Sequence, residues 1–245
     1  MSAAPQPPTG GIYGKLPAFG DFVRRGLPNA FVRPWDEWLS NSISVSQNQI
    51  VDRWTEAYLT SAPWRFALDP GVAGPNGWIG VLASSVDEVR RFYPITVAIP
   101  LPSGMRLFAL SGDLEPVVAD LEKIALQLIA GDLTPDAAAE ALDEPTALLP
   151  TRAVLRSALS RGRAERVQTA MTYPSIGVMF AHLTQRSDSR NNASSGVSAW
   201  WHAGWNAMPA ANLVAPGLPS PDIFASFLDG SWRARGWADQ SRLRI

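Results

Sequence analysis

The 245-residue sequence contains no cysteine, only two histidines, and only two lysines among its 21 basic residues. The absence of cysteine excludes thiol catalysis, cysteine-ligated zinc and disulfide bonds, and it fits a reducing compartment. No run of about 18 apolar residues occurs, which excludes a transmembrane helix. Residues 1–10 lack the basic and apolar stretches of a secretory signal. We therefore expect a cytoplasmic protein.

The overall charge excludes a second class of function. The 21 Lys and Arg against 22 Asp and Glu give a net charge of −1, which is not that of a bulk electrostatic nucleic-acid binder. Hydrophobic residues at 46 % and charged residues at 18 % are typical of a folded domain. Because a half-apolar ring is costly to expose, we expect most of the ten tryptophans to lie in the core.

Known catalytic motifs are absent from the sequence. It has no phosphate-binding Gly-rich loop, no dinucleotide fingerprint and no nucleophile elbow. His182 and His202 are too far apart for a two-histidine helical zinc site. A hydrolase that uses either histidine in a serine triad stays open, because triad members need only be close in space. We expect no enzymatic activity, no cofactor and no metal.

Hydrophobic patterning predicts alternating strands and helices. Because the apolar runs barely alternate with polar residues, we expect strands that are covered on both faces. Strands are predicted at residues 12–16, 64–68, 78–83, 95–99, 106–110 and 197–201. Helices are predicted over residues 31–60 with a break near 46–48, over 114–130 after an Asp113 N-cap, from 134, from 150 and after the Ser220 cap. Segment 176–183 fits either a strand or a helix.

These elements interleave along the chain without a repeat or a clean linker. This order predicts a single α/β domain, a mixed β-sheet flanked by helices on both faces. Its predicted limits are a flexible arm at 1–10, the α/β domain at 11–229 and an Arg- and Trp-containing tail at 230–245, with a polar loop at 187–198. Residues 111–145 carry a net charge of −8 and residues 151–190 one of +5. Both segments are either solvated surface or a docking surface for a partner.

The segment 11–28, GIYGKLPAFGDFVRRGLP, is dense in residues with special backbone behaviour. Its internal glycines permit turns or close approach of the backbone, and its prolines fix φ. Three of its side chains are available for internal pairing, namely Lys15, Asp21 and Arg24. The segment predicts a rigid, shaped loop between a strand and a long helix. Such a loop is either structural or a recognition surface.

This segment, followed by Trp35 and Trp38-Leu39, closely resembles the opening of TagF, an accessory protein family of the bacterial type VI secretion system. Residues 84–96, SSVDEVRRFYPIT, resemble the family's Ser-Val-Asp-x-Val-Gly-Arg-x-Phe-Pro-Leu-Thr segment. Ala199-Trp200-Trp201 resembles its Leu-Trp-Trp motif, and residues 217–228 resemble its closing Gly-Leu-Pro helix. In this chain Arg90 replaces the glycine before Arg91, and Tyr93 lies between Phe92 and Pro94.

The resemblance implies an α/β fold without catalytic residues. It also implies a post-translational negative regulator of the secretion system that binds or sequesters a forkhead-associated scaffold component or an inner-membrane component. An assembly scaffold for the same system is the alternative. We expect no nucleic-acid partner and no direct membrane insertion. The family-motif positions, with either a partner-binding or a structural role, are Lys15, Asp21, Phe22, Arg24, Trp35, Trp38, Asp87, Arg91, Trp200 and Trp201.

Overall fold

A computed structural model describes residues 9–103, 105–107, 110, 114–149, 170–185, 196–206 and 208–239. Within them one mixed sheet runs in the order β2-β1-β5-β4-β3-β7-β8-β6-β9. Neighbouring strands are antiparallel except for β6 and β9, which are parallel. The strands are β1 Gly11–Gly14, β2 Val23–Arg25, β3 Trp64–Leu68, β4 Trp78–Ala83, β5 Ile95–Pro100, β6 Met171–Thr172, β7 Val197–His202, β8 Ala211–Pro216 and β9 Ala238–Asp239.

Helices cover both faces of this sheet. They are α1 Asn29–Gln49, α2 Trp54–Thr60, α3 Glu115–Ala130, α4 Pro135–Ala141, α5 Asp143–Ala147, α6 Ile176–Gln185 and α7 Ala225–Asp229. One apolar cluster joins the sheet to α3, α4 and α6. A second, rich in aromatic rings, joins the opposite face to α1, α2 and α7. The predicted α/β fold with helices on both faces is confirmed.

Strand alternation divides the side chains between the two clusters. On β3, Trp64 and Phe66 belong to the aromatic cluster, while Ala67 lies between the sheet and α3. On β7, the adjacent Trp200 and Trp201 point to opposite faces for the same reason. Both faces of the sheet are therefore buried, which explains why the sequences of these strands are nearly continuous apolar runs.

The long predicted helical region breaks later than expected. Instead of breaking at 46–48, α1 continues to Gln49, and a 3₁₀ turn at Val51–Arg53 leads into α2. Ser46 is buried, its hydroxyl donates to the Ile43 carbonyl, and it accepts the indole N–H of Trp54. This internal bonding satisfies a polar residue that the sequence pattern marked as a breaker.

The helix ends agree largely with the predicted caps. Gly131 follows α3 with a left-handed φ of 81°, and the Thr134 hydroxyl accepts the Ala137 N–H at the start of α4. Ser220 makes no side-chain capping bond to the turn at Pro221–Ile223, so its predicted role is wrong. The Asp113 cap, the helix predicted from Pro150, residues 1–8 of the arm and most of the 187–198 loop lie outside the described residues.

Several strand predictions need correction. Strand β1 ends at Gly14 rather than at residue 16. Segment 176–183, which fitted either a strand or a helix, lies in the helix α6. The described residues of 106–110 form no strand, because the Leu107 N–H bonds to the Asp69 carboxylate instead of a neighbouring strand. The short β2, β6 and β9 and the longer β8 were missed. Past residue 229, Trp237 is buried in the aromatic cluster and β9 pairs with β6.

Candidate functional site

Two loops meet at the end of β1, and a buried ion pair joins them. Lys15 Nζ donates to Asp87 Oδ2 at 2.7 Å, and both side chains are less than a tenth exposed. Arg91 Nε donates to the same oxygen at 2.6 Å. Burial acts to raise the pKa of Asp87, but the hydrogen bonds from Lys15 and Arg91 outweigh it and hold that pKa well below its usual range. One carboxylate therefore fixes two cations from separate parts of the chain.

Asp87 also closes the turn in which it lies. Its Oδ1 accepts the backbone N–H groups of Val89 and Arg91, at 3.2 and 2.7 Å. The Arg90 N–H donates to the Asp87 carbonyl. Arg90 has a φ of 63°, the left-handed region that favours glycine. The glycine that the family segment carries here thus matches the turn, and this chain forms the turn with an arginine.

Two further hydrogen bonds to backbone carbonyls complete the attachment between residues 15–22 and 86–92, which we call the paired loops. The Glu88 N–H donates to the Phe19 carbonyl at 3.1 Å, and Arg91 Nη2 donates to the Gly20 carbonyl at 2.6 Å. Phe19 N–H in turn bonds to Leu16. Together with the Lys15–Asp87 ion pair, these bonds leave each loop little freedom to move without the other.

Beneath the paired loops lies a group of aromatic side chains, two of which bind the same carboxylate. The hydroxyls of Tyr13 and Tyr93 both donate to Asp36 Oδ1 on α1, at 2.6 and 2.7 Å. Burial first, and then the hydrogen bond to Asp36, raises the pKa of both tyrosines. Phe22 stacks on Tyr13, and Lys15 Nζ lies 5.2 Å from the Phe22 ring centroid. Sequence spacing gave no signal for Asp36, because it lies on another element.

The outer surface of the paired loops carries exposed apolar side chains among charged ones. Phe19 is 38 % exposed, Phe22 42 % and Val89 66 %, although each is a large hydrophobic side chain. Arg90 is exposed beside them. Grouped exposed apolar side chains are typical of contact surfaces, whereas scattered ones need no explanation. Sequence reasoning singled out Phe22 but missed Phe19, Val89 and Arg90.

The other polar residues of the motif have local bonds. Of the three side chains available for internal pairing, Lys15 instead pairs with Asp87. Asp21 accepts the N–H of Phe22, and Arg24 donates to the Leu27 carbonyl and to Asn29. Arg24 thereby fixes the turn between β2 and α1. Both side chains are on the surface, Asp21 in the paired loops and Arg24 just after them.

The four motif tryptophans lie inside the protein. Trp35, Trp38, Trp200 and Trp201 are at most 6 % exposed. Trp35 donates to the Thr96 hydroxyl and Trp38 to the Pro219 carbonyl, so α1 is tied to β5 and to the segment before α7. Their rings pack against the sheet, and a partner does not reach them while the fold is intact. Of the ten tryptophans, only Trp205 is among the exposed large hydrophobic residues of the described chain.

Neither histidine is placed like a triad base in the contacts described. His202 Nδ1 accepts the Gly204 N–H, and its Nε2 is buried without a hydrogen-bond partner. His182 Nδ1 bonds to the Tyr173 hydroxyl at 2.8 Å. A cavity between α2 and α7 has no histidine in its lining, which is Tyr58, Ser61, Ala62, Trp64, Leu82, Ser84, Pro94, Phe224, Phe227 and Leu228.

Other functional features are limited over the same residues. No group of three or more His, Asp or Glu side chains there is arranged to hold a metal ion. None of the helices described is long and apolar enough to cross a membrane. Part of the acidic segment 111–145 is neutralised within the fold, since Glu115 and Glu122 pair with Arg65, and Asp136 with Arg25. Most of the basic segment 151–190 lies outside the described residues.

Comparison with known proteins finds a family model and solved structures that match this chain. A family model described as the TagF N-terminal domain, type VI secretion system-associated, matches residues 11–144, which include both of the paired loops. The crystal structure of PA0076 from Pseudomonas aeruginosa PAO1 aligns with a TM-score of 0.68 and 33 % sequence identity. That alignment covers 91 % of this chain and 95 % of the other. No curated protein matches the sequence.

Proposed function

The chain belongs to the TagF family of type VI secretion system-associated proteins, and from this membership we propose that it is a non-enzymatic, post-translational negative regulator of that system. In this proposal it works in the cytoplasm and sequesters a protein component. The first candidate is the forkhead-associated scaffold component, and an inner-membrane component is the second. It inserts into no membrane and needs no cofactor.

One observation carries the binding part of the proposal, namely the surface of the paired loops. Phe19, Phe22 and Val89 are exposed there on a backbone that Lys15, Asp87 and Arg91 hold in place. A rigid surface loses little conformational entropy when a partner binds, so its apolar area contributes more to affinity. Aromatic side chains are also enriched among the residues that dominate interface energetics.

The experiment measures secretion and binding together. A strain lacking this protein is complemented with the full chain or with the Phe19→Ala/Val89→Ala double variant, and the export of a type VI secretion substrate is measured. Each protein is also tested for capture of the forkhead-associated component. We expect deletion to increase secretion, and the double variant to bind weakly and fail to restore repression.

The matched control is Leu148→Ala, which removes a side chain that is 53 % exposed on the distant α5 end of the fold. It is expected to repress secretion and bind like the unchanged protein. The melting temperature of every variant is measured, and only variants that melt like the unchanged protein are compared. Unfolding is then not mistaken for lost recognition. Reduced secretion on deletion would instead favour the assembly scaffold and contradict a repressor.

A further inference from the structure

Arg90 is held in a conformation that is costly for its residue type. Its φ of 63° places it in the left-handed region, where the Cβ of a non-glycine residue crowds the following carbonyl. The conformation persists because the turn around it is fixed by the Asp87 carboxylate and by the Arg90 N–H bond to the Asp87 carbonyl. Such strain clusters at functional sites, and it motivates a search for what the side chain does.

Within the described chain the Arg90 guanidinium has no internal role. Its side chain is exposed and forms no hydrogen bond or ion pair there. The neighbouring Arg91, by contrast, is bound to Asp87 and to the Gly20 carbonyl. Glu88 carries a carboxylate that lies toward Gly20 on the other loop. Arg90 is therefore a free cation next to the exposed Val89.

The charge of the paired loops narrows the chemistry of a partner. Three cations, Lys15, Arg90 and Arg91, are balanced by three acids, Asp21, Asp87 and Glu88, so these loops have no net charge. A polyanion such as nucleic acid or an anionic membrane surface needs a broad positive field, which this balance does not supply. A single carboxylate facing a single guanidinium requires no such field and is favoured by the fork geometry of arginine.

Resting on the function proposed above, we propose that Arg90 determines the specificity of this surface. The partner is a protein whose contact surface combines an apolar depression, which receives Phe19 and Val89, with an aspartate or glutamate that pairs with Arg90. The apolar contacts supply affinity, and the ion pair selects the partner and fixes its orientation. The strained turn fixes the Arg90 backbone before binding, and with it the direction in which the side chain leaves the loop.

The test separates stability from recognition through the Arg90→Gly variant. Glycine relieves the strain, so the melting temperature is expected to rise by about 2–4 °C. Removing the charge is expected to weaken binding to the purified forkhead-associated component about tenfold. Arg90→Lys keeps the charge and is expected to retain most of the affinity. Arg233→Ala, at a highly exposed arginine distant in sequence, is the control and is expected to bind normally.

A photo-crosslinking amino acid at position 89, in cells of the native host, decides the proposal independently of the partner's identity. The expected result is a crosslinked protein peptide that contains or adjoins an aspartate or glutamate. If the forkhead-associated component does not bind the unchanged chain, it is rejected as the partner. The crosslinked peptide then still tests whether the true partner offers a carboxylate to Arg90. Unchanged binding by Arg90→Gly, a contact peptide without a carboxylate, or no crosslinked protein would each overturn the inference.

Discussion

Lys15 and Asp87 form a buried ion pair across 72 residues of sequence, with 2.7 Å between Nζ and Oδ2. Lys15 immediately follows β1, and Asp87 lies in the turn that leads to β5. Because β1 and β5 pair directly, the two residues meet at the same end of the sheet. The pair ties the family motif at residues 11–28 to the second motif at 84–96, and it explains why both contain charged residues.

We predict that Asp87→Asn destabilises the protein markedly. The change leaves the Lys15 ammonium buried without a counter-charge, and it removes a strong acceptor from the 87–91 turn. The melting temperature is expected to fall by roughly 5–10 °C in thermal unfolding followed by circular dichroism. The double variant Lys15→Met/Asp87→Asn removes both charges, keeps a side-chain oxygen for the backbone N–H groups of Val89 and Arg91, and is the control. A double variant no more stable than Asp87→Asn would contradict the ion-pair explanation.

The same pair predicts the behaviour of the protein in acid. The pKa of Asp87 is lower in the folded state than in the unfolded chain, where it is about 3.9. Its contribution to stability is therefore fully present above that value and is lost as the pH falls below it. Chemical unfolding between pH 5 and pH 2 is expected to show that the free energy of unfolding falls more steeply for the unchanged chain than for Asp87→Asn. Equal slopes would show that another carboxylate governs acid unfolding.

Two glycines with positive φ are predicted to respond differently to alanine. Gly14 has a φ of 147°, and a Cβ there would lie 2.1 Å from the Pro94 carbonyl oxygen, so Gly14→Ala forces β1 and β5 apart. Gly131 has a φ of 81° with open space around it, and Gly131→Ala adds only backbone strain. We expect losses of about 3–5 kcal/mol and about 1 kcal/mol respectively, measured by urea unfolding. Similar losses would argue against the close approach at Gly14.

His202 is predicted to make stability depend on pH above the carboxylate range. Burial first, and then the nearby Arg65 charge, lowers its pKa from 6.5 to about 4. The His202 imidazole is therefore protonated at a lower pH in the folded state than in the unfolded chain. The contribution of His202 to stability is fully present above about pH 6.5 and is lost as the pH falls toward 4, by about 3 kcal/mol in total.

The check is His202→Asn, whose side-chain oxygen keeps an acceptor near the Gly204 N–H. Unfolding free energies at pH 7, 6 and 5 are expected to vary less in this variant than in the unchanged chain. His182→Gln is the matched control and should retain the dependence. If His202→Asn keeps the full pH dependence, the burial of this imidazole is not its cause.

Asp69 is predicted to stabilise the opposite end of the sheet, as Asp87 stabilises the paired loops. It is 3 % exposed, accepts the backbone N–H groups of Leu107 and Val197, and pairs with Arg106. Asp69→Ala leaves buried donors unsatisfied, and we expect a loss of about 2–4 kcal/mol in urea unfolding. Asp222→Ala, an acid that makes no side-chain bond in the described chain, should change stability by less than about 0.5 kcal/mol.

Sequence patterns were most informative where a residue's role depends on its neighbours in the chain. The apolar runs of β3, β4 and β5 marked strands covered on both faces, and the Gly131 and Thr134 caps marked helix ends. The patterns failed for β2 and β9, which are two or three residues long and owe their pairing to adjacent strands. They also failed at Ser46, whose buried hydroxyl is satisfied by Trp54.

The sequence by itself determined the α/β class, the family and the motif residues, because hydrophobic period, caps and a long specific motif are local properties of a chain. Only the tertiary structure decided which motif residues are buried and which are on the surface. It placed Trp35 and Trp200 in the core, paired Lys15 with Asp87 rather than Asp21, and exposed Phe19 and Val89 together. The physical reason is that burial and ion pairing depend on which strands become neighbours, and the spacing of residues along the chain does not determine the order of strands in a sheet.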